Sequence, residues 1–420
     1  MTGEPGARAP IPDAAILDPA LTPVALIGAL VAREPAAARS RDRIRIVRAP
    51  GRVNLIGEHT DYNDGLVVPA AIDRDVRIAF LPTDDGIVRL TSLATGDTAD
   101  VDLAAIGQVR GHWIDYVAGT AWAMADAGLP TRGFTGIVAS DLPARAGLSS
   151  SAALELASAW ALSGGDVPPA DGMTVARTAQ HGENDFVGVQ CGLMDQFASA
   201  FGQAGAALRL DCRSLDWAAV PLPDDLVLVI CHTGAPRTLA GSAYNDRRAE
   251  CARAVAAIAL IVGPERPIAS LRDVDAALLA AIWPELVAAD PIAARRADHI
   301  VAENERVDST CTALVAGDVA ALGALFAASH ASLRDAFEVS SVALDTLVEI
   351  AVAVPGVVAA RLTGAGFGGC TVNLVRPEAV DDLRITVERD YERRTRLQPR
   401  VFVVAAADGA GPVTGAGIAA

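Results

Sequence analysis

Apolar positions recur along this chain with two different textures. In the first half they come in short runs, alternating with polar residues or unbroken, and these predict strands. Arg43, Ile44, Arg45 and Ile46 alternate polar and apolar and lead straight into Ala49-Pro50-Gly51. Further strand-like runs lie at 76–80, 87–92, 136–140, 206–211 and 226–231, with helical periodicity at 23–33, 113–127 and 152–162. After about residue 240 long Ala- and Arg-rich helices take over, at 243–261, 292–316, 319–331 and 341–352. Three late strand runs follow at 357–361, 370–375 and 401–405, and the Pro- and Gly-marked stretch 262–267 reads as a loop. Strands in both halves with helices between them predict an α+β protein of two lobes. A cleft between lobes is where small ligands commonly sit.

Composition narrows the class. The 420 residues are 51% hydrophobic but only 4% aromatic, so the core is built from Ala, Val, Leu and Ile. There is no lysine, and all 35 basic residues are arginines. Ion pairing and phosphate contact therefore fall to guanidinium groups and backbone N–H. Against 51 acids this leaves a net charge of −16. A field of that sign repels polyanions and argues against nucleic acid or an anionic membrane as partner. It leaves room for ATP, because a divalent ion and local N–H groups override a distant field. The six cysteines form no CxxC pair and no disulfide framework, which points to reduced thiols in a cytoplasmic protein. No signal-peptide pattern stands at the N-terminus, and no apolar run reaches the ~18 residues of a membrane span.

Four motifs carry chemistry. The first, Ala49 to Asn63, packs Arg52, Glu58, His59, Thr60 and Asp61 among Val53, Leu55 and Ile56. Arg52 brings fixed planar donors, Glu58 and Asp61 are acceptors suited to sugar hydroxyls, and His59 can do either job. The apolar residues pin one face to the core, which a plain surface turn would not need. The second motif, Ala144-Arg145-Ala146-Gly147-Leu148-Ser149-Ser150-Ser151, opens a helix. Backbone N–H groups and the helix dipole there form an anion site, and one serine can ligate Mg²⁺. A plain Ser N-cap is the ordinary alternative, but three serines after a Gly turn exceed what capping requires.

The third motif holds two acids. Asp195 stands between Met194 and Phe197, an apolar setting in which a carboxylate needs a cationic partner, and Arg52 is the candidate. Glu183 is a hard-oxygen ligand suited to Mg²⁺. The fourth motif is Thr363-Gly364-Ala365-Gly366-Phe367-Gly368-Gly369, between two strand runs. It reads either as a close backbone approach to a ligand or as a tight hairpin.

These stretches, in this order, resemble the galactokinases of the GHMP small-molecule kinase superfamily. The resemblance runs from about Arg48 to Ala407 and is most specific over Gly51 to Tyr62. It extends to Arg237-Thr238-Leu239, Tyr244, Glu303 to Val307, and Ser329 to Ser340. It implies the two-lobed GHMP kinase fold: a mixed-sheet N-terminal lobe, a C-terminal lobe of antiparallel sheet and helices, and the active site in the cleft between them. The expected division is a loose leader over 1–22, an N-terminal domain over 23–225 binding sugar and ATP, and a C-terminal domain over 226–420.

The implied roles follow residue by residue. Arg52 stabilises developing charge and partners Asp195, which accepts the proton of the sugar C1 hydroxyl. Glu58, His59, Thr60, Asp61, Gly192 and Tyr244 bind galactose. Arg145, Ala146, Gly147, Leu148, Ser149, Ser150 and Ser151 wrap the triphosphate of ATP, and Ser151 with Glu183 holds Mg²⁺. A monomer is expected. Two positions depart from the family pattern: Arg145 and Ala365 stand where glycine is usual. The rivals are a related kinase acting on N-acetylgalactosamine, arabinose, galacturonate or mevalonate, and a non-catalytic sugar sensor. The run His59 to Asn63 favours galactose, and the presence of Arg52, Ser151, Glu183 and Asp195 favours catalysis.

Overall fold

In the computed structural model residues 22–143, 146–235 and 240–413 are described. The leader up to residue 21, Arg145 of the serine turn and Arg237-Thr238-Leu239 lie outside the described residues. The chain folds as two compact units that interleave along the sequence. Of the described residues, the first holds those in 22–52, 71–202 and 407–413, and the second those in 53–70 and 203–406.

A mixed sheet of six strands organises the first unit, in the order Gly411–Pro412, Arg45–Asn54, Pro69–Pro82, Phe134–Ser140, Ile87–Ser92, Thr98–Asp102. The pair Ile87–Ser92 and Phe134–Ser140 is parallel. Phe134–Ser140 runs antiparallel to Pro69–Pro82, with Ile78 opposite Val138. The strand Arg45–Asn54 is longer than alternation suggests. Ile46, Val47, Ala49 and Val53 are all buried, so its inner half is covered on both faces and the period of two disappears. Pro69–Pro82 outgrows its predicted 76–80 core for the same reason. The helix Pro23–Arg33, capped by the Thr22 hydroxyl on Ala25 N–H, lays Leu26 and Leu30 against Ile46, Ala79 and Ile137 of this sheet. Helices Ile114–Asp126, Ser150–Leu162, Gly172–His181 and Met194–Phe201 complete the unit.

The second unit contains an antiparallel sheet in the order Val357–Thr363, Cys370–Val375, Val227–His232, Arg400–Val404. Helices Val342–Val352 and Val380–Thr395 pack their Leu347, Ile350, Leu383 and Val387 against its residues Val229, Ala360 and Val401. A three-stranded antiparallel sheet joins Leu66–Val67, Ala206–Asp211 and Trp217–Pro221. A second core cluster gathers Ile258, Leu286, Ala297, Ile300, Phe337 and Leu344 from helices Ala240–Val262, Ala276–Ala289, Pro291–Ala316 and Val342–Val352 and the stretch between. The helix Ala276–Ala289 is not among the predicted segments, and it carries Pro284 inside it, where a proline is costly. Its apolar face closes this cluster and outweighs the proline. None of the six cysteines is in a disulfide, and burial pushes the Cys231 and Cys251 thiols up to about 12.

The 26-residue helix Pro291–Ala316 is started by Asp290, whose carboxylate accepts from the Ile292 and Ala293 N–H groups at 3.0 and 2.9 Å. Replacing Asp290 by Ala should cost about 1 kcal/mol, seen as a lower denaturant midpoint. Asp290→Asn, which keeps the cap, should lose far less. Equal losses in the two variants would show that the cap is not what holds this end.

Candidate active site

In the first unit the site begins where the strand Arg45–Asn54 meets the serine turn. Gly51 makes the approach possible: a Cβ there would stand 2.5 Å from the Leu148 carbonyl oxygen. Arg52 N–H donates to that same carbonyl at 3.2 Å, so turn and strand are tied by backbone. The Arg52 side chain is almost fully buried. Its Nη1 donates to the Gly147 carbonyl at 2.8 Å, and its Nε and Nη2 reach Asp195 Oδ1 at 2.8 and 2.6 Å. Asp195 sits in the first turn of Met194–Phe201, with Gly192 buried just before that helix, and is the more exposed partner of the pair. The structure thus brings Arg52, Gly147 and Asp195 onto one point. A charge-assisted pair of this kind is the compensation the apolar flanks of Asp195 demanded.

The serine turn does more than cap. Ser149 precedes the helix Ser150–Leu162 with φ 59° and ψ 42°, a left-handed conformation costly for serine, and it makes no side-chain cap hydrogen bond. Its hydroxyl is buried and, among the described residues, has no partner. Strain and an unmatched donor at a helix N-terminus suit an anion that arrives with its own acceptors. Ala146, Leu148 and Ser151 are buried and Ser150 is half-buried.

Glu183 lies in a π-helical turn, Gly182–Val187, a form often found at functional positions. It is buried, and its Oε2 accepts from Gln196 Nε2 at 2.7 Å and from the Cys191 thiol at 3.3 Å. Gln196 also donates to Glu155 Oε2 at 3.0 Å. Among the described residues no group of three or more His, Cys, Asp or Glu forms a cage for a metal. The donors here are hard oxygens, a serine hydroxyl and buried carboxylates. That suits Mg²⁺, which takes one or two protein ligands and leaves the rest to phosphate and water.

The second unit holds the other half of the early motif, and most of its polar groups are turned inward. Glu58 is buried with both oxygens engaged: Oε2 pairs with Arg361 and Oε1 accepts from Gly364 N–H at 3.0 Å. Burial pushes its carboxyl up, and the Arg361 guanidinium pulls it back. Thr60 Oγ1 lies 2.8 Å from the Gly57 carbonyl and 2.6 Å from the Leu66 carbonyl, closing the loop on itself. His59 Nε2 stands 3.3 Å from the Ala365 carbonyl, which can only accept, so Nε2 carries the proton and Nδ1 accepts from Tyr62 O–H at 2.9 Å. Burial lowers His59 to about 3, so the ring is neutral. Asp61 and Tyr244 are the partly exposed members of this group, and the Tyr244 ring lies 5.6 Å from that of His59.

Behind the loop stand residues whose task sequence reading did not assign. Glu303 Oε1 accepts from Gly57 N–H at 3.0 Å, Asn304 Oδ1 accepts from Leu66 N–H at 2.8 Å, and His299 Nε2 donates to the Glu58 carbonyl at 3.1 Å. Burial alone would raise Glu303, yet Arg306, His299 and Arg361 bring it down to about 2. Glu155 could have been found, because it lies four residues after Ser151 and shares its helix face. Gln196 and Arg361 offered no local signal, since their partners are distant in sequence.

Three family models match the chain: the galactokinase galactose-binding signature over residues 37–82, the GHMP kinases N terminal domain over 115–203 and the GHMP kinases C terminal over 312–392. A galactokinase from Roseiflexus sp. (strain RS-1) is 47% identical over 88% of this chain and 93% of its own length. The chain belongs to the galactokinase family. A galactokinase from Chloroflexus aurantiacus is 44% identical over 86% of this chain and 92% of its own. Among solved structures, Lactococcus lactis galactokinase complexed with galactose is 35% identical, covers 92% of this chain and 100% of its own, and superposes with a TM-score of 0.85. Methanococcus jannaschii mevalonate kinase, at 18% identity and a TM-score of 0.60, shares the fold. Family membership places the chain in the α+β GHMP kinase fold expected from its motifs.

Three buried histidines make stability depend on pH. Burial lowers His299 and His330 to about 4 and His59 to about 3, against an ordinary 6.5. Between those values the unfolded chain binds more protons than the folded one, so stability falls as pH drops from about 6.5 toward 4. Each histidine contributes a slope of up to about 1.4 kcal/mol per pH unit. Glu58, raised by burial, opposes part of this. The thermal midpoint should therefore decline from pH 7 to pH 5, less steeply in His299→Gln. A flat profile in the wild type would contradict the buried neutral assignment.

Proposed function

We infer that this protein transfers the γ-phosphoryl of ATP to the C1 hydroxyl of galactose, giving galactose 1-phosphate and ADP. The observation that carries the reading is the placement of Arg52, one guanidinium spanning Asp195 and the turn that opens the helix Ser150–Leu162. Phosphoryl transfer asks a protein mainly for positioning and charge neutralisation. Arg52 supplies a fixed positive group beside the serine turn, whose N–H groups and hydroxyls receive the phosphates. Asp195 accepts the C1 hydroxyl proton as the sugar O1 bonds to the γ-phosphorus and the bond from that phosphorus to the β,γ-bridging oxygen breaks, releasing ADP. We assign Arg145 to the same turn.

Ser151 and Glu183 would hold Mg²⁺, which when bound neutralises charge on the phosphate oxygens. Gln196 donates to Glu183 and fixes that carboxylate. On the sugar side we assign direct contact to Asp61, Tyr244 and Gly192. Glu58, His59 and Thr60 shape the loop that offers them, because their polar atoms are used within it. Among the described residues no helix is long and apolar enough to cross a membrane. Cysteines outside any disulfide and the need for ATP support a cytoplasmic setting, and we propose a monomer.

A coupled ADP-release assay over hexoses and pentoses tests the substrate. Galactose should give the highest kcat/KM, and a higher value for another sugar overturns the assignment. Asp195→Ala should lower kcat by at least ~10²-fold, the scale of general-base catalysis, while galactose binding measured by calorimetry persists. Near-normal turnover would remove Asp195 from the chemistry. Glu183→Ala should shift the Mg²⁺ activation curve to higher concentration, and an unmoved curve would remove it from the metal site.

A further inference from the structure

The late glycine turn has no task in the reaction described above, yet it is wired to the sugar loop. Arg361 lies on the strand Val357–Thr363 that leads into this turn, and it is completely buried. Its Nη1 donates to the Leu55 carbonyl at 2.6 Å and points toward that of Asn54 at 3.5 Å, while Nη2 pairs with Glu58. Among the described residues the acceptors reached by its two terminal nitrogens thus all belong to one five-residue stretch of the sugar loop, 54–58. The links continue along the same strand. Thr363 Oγ1 bonds Asn54 N–H and carbonyl at 3.0 and 2.9 Å, Gly364 N–H holds Glu58 Oε1, and the Ala365 carbonyl takes His59 Nε2–H. The turn is anchored on its far side, where Phe367 N–H donates to the Val339 carbonyl at 2.7 Å. Gly366, with φ 76°, leaves no room for a side chain, since a Cβ would stand 2.2 Å from that carbonyl oxygen.

We propose that Arg361 is a positioning residue for galactose recognition: with Thr363 and Gly364 it fixes the backbone of residues 54–58 and the Glu58 carboxylate, so that the loop meets the sugar preformed. This rests on the galactokinase reading. Stability alone does not explain the arrangement, because a fully buried ion pair is commonly matched or bettered by apolar residues of similar size. What a guanidinium adds is a rigid fork that reads several acceptors at once, which neither an apolar side chain nor lysine reproduces. The glycine turn accordingly serves sugar affinity through the loop and leaves nucleotide affinity alone.

The test compares the full-length wild type with Arg361→Lys and Thr363→Val. Arg361→Lys keeps a positive charge but cannot satisfy Glu58 and the Leu55 carbonyl together. Its KM for galactose should rise at least tenfold, with the KM for ATP within about twofold and kcat at saturating galactose within about threefold. Thr363→Val, a milder change that decides the matter if Arg361→Lys does not fold, should raise the galactose KM severalfold and again spare ATP. Parallel changes in both KM values, or a lowered thermal midpoint with both KM values unchanged, would reduce Arg361 to a structural residue and overturn the proposal. A wild type that does not phosphorylate galactose would instead sink the underlying reading, and the two failures are separate in the data.

Discussion

A guanidinium taken out of water must find acceptors in the protein, because an unmatched buried charge costs more than most single interactions return. This chain has no lysine, so the constraint falls on arginine throughout. Two nearly or fully buried arginines show what it does. Arg52 draws a strand end, the serine turn and the start of the helix Met194–Phe201 to one point in the first unit. Arg361 draws the sugar loop onto a sheet strand and the glycine turn in the second. Each side chain has a rigid, directional set of donors, so its partners are fixed in angle as well as distance.

Preorganisation follows from this arrangement. Phosphoryl transfer gains most from groups already in place when the reactants arrive. Ser149 keeps a costly backbone conformation and an unmatched buried hydroxyl at the head of a helix. Such strain persists only where the surroundings over-determine it. Here the backbone tie from Arg52 N–H to Leu148 and the close approach allowed by Gly51 supply that determination. In the sugar loop Thr60, His59 and Glu58 spend their polar groups on the loop itself, with Glu303 and His299 closing it from behind. Residues that look like ligand contacts in the sequence thus spend polar groups on the loop itself in several cases.

Much of the fold was legible in the chain. The helices Pro23–Arg33 and Pro291–Ala316 have clean caps and periodicity, and they stand where the pattern put them to within a residue. Strands covered on both faces, such as Pro69–Pro82, were read too short because burial removes the alternation that reveals a strand. Ala276–Ala289 is absent from the predicted helices, and tertiary packing of its apolar face outweighs the proline it contains.

By itself the sequence determined the chemistry on offer: guanidinium in place of ammonium, a serine-rich helix start, an aspartate in apolar company that had to be paired, and a run of polar residues of types that hydrogen-bond polyols. These are local facts, set by residue type and spacing. Tertiary structure alone decided which of those groups are buried against protein partners and which stay partly exposed. Arg361 meets Glu58 across some 300 positions of chain, and Gln196 joins two glutamates from separate helical segments. Nothing in a linear pattern encodes such meetings, because they exist only once the cores have packed and fixed where each strand ends.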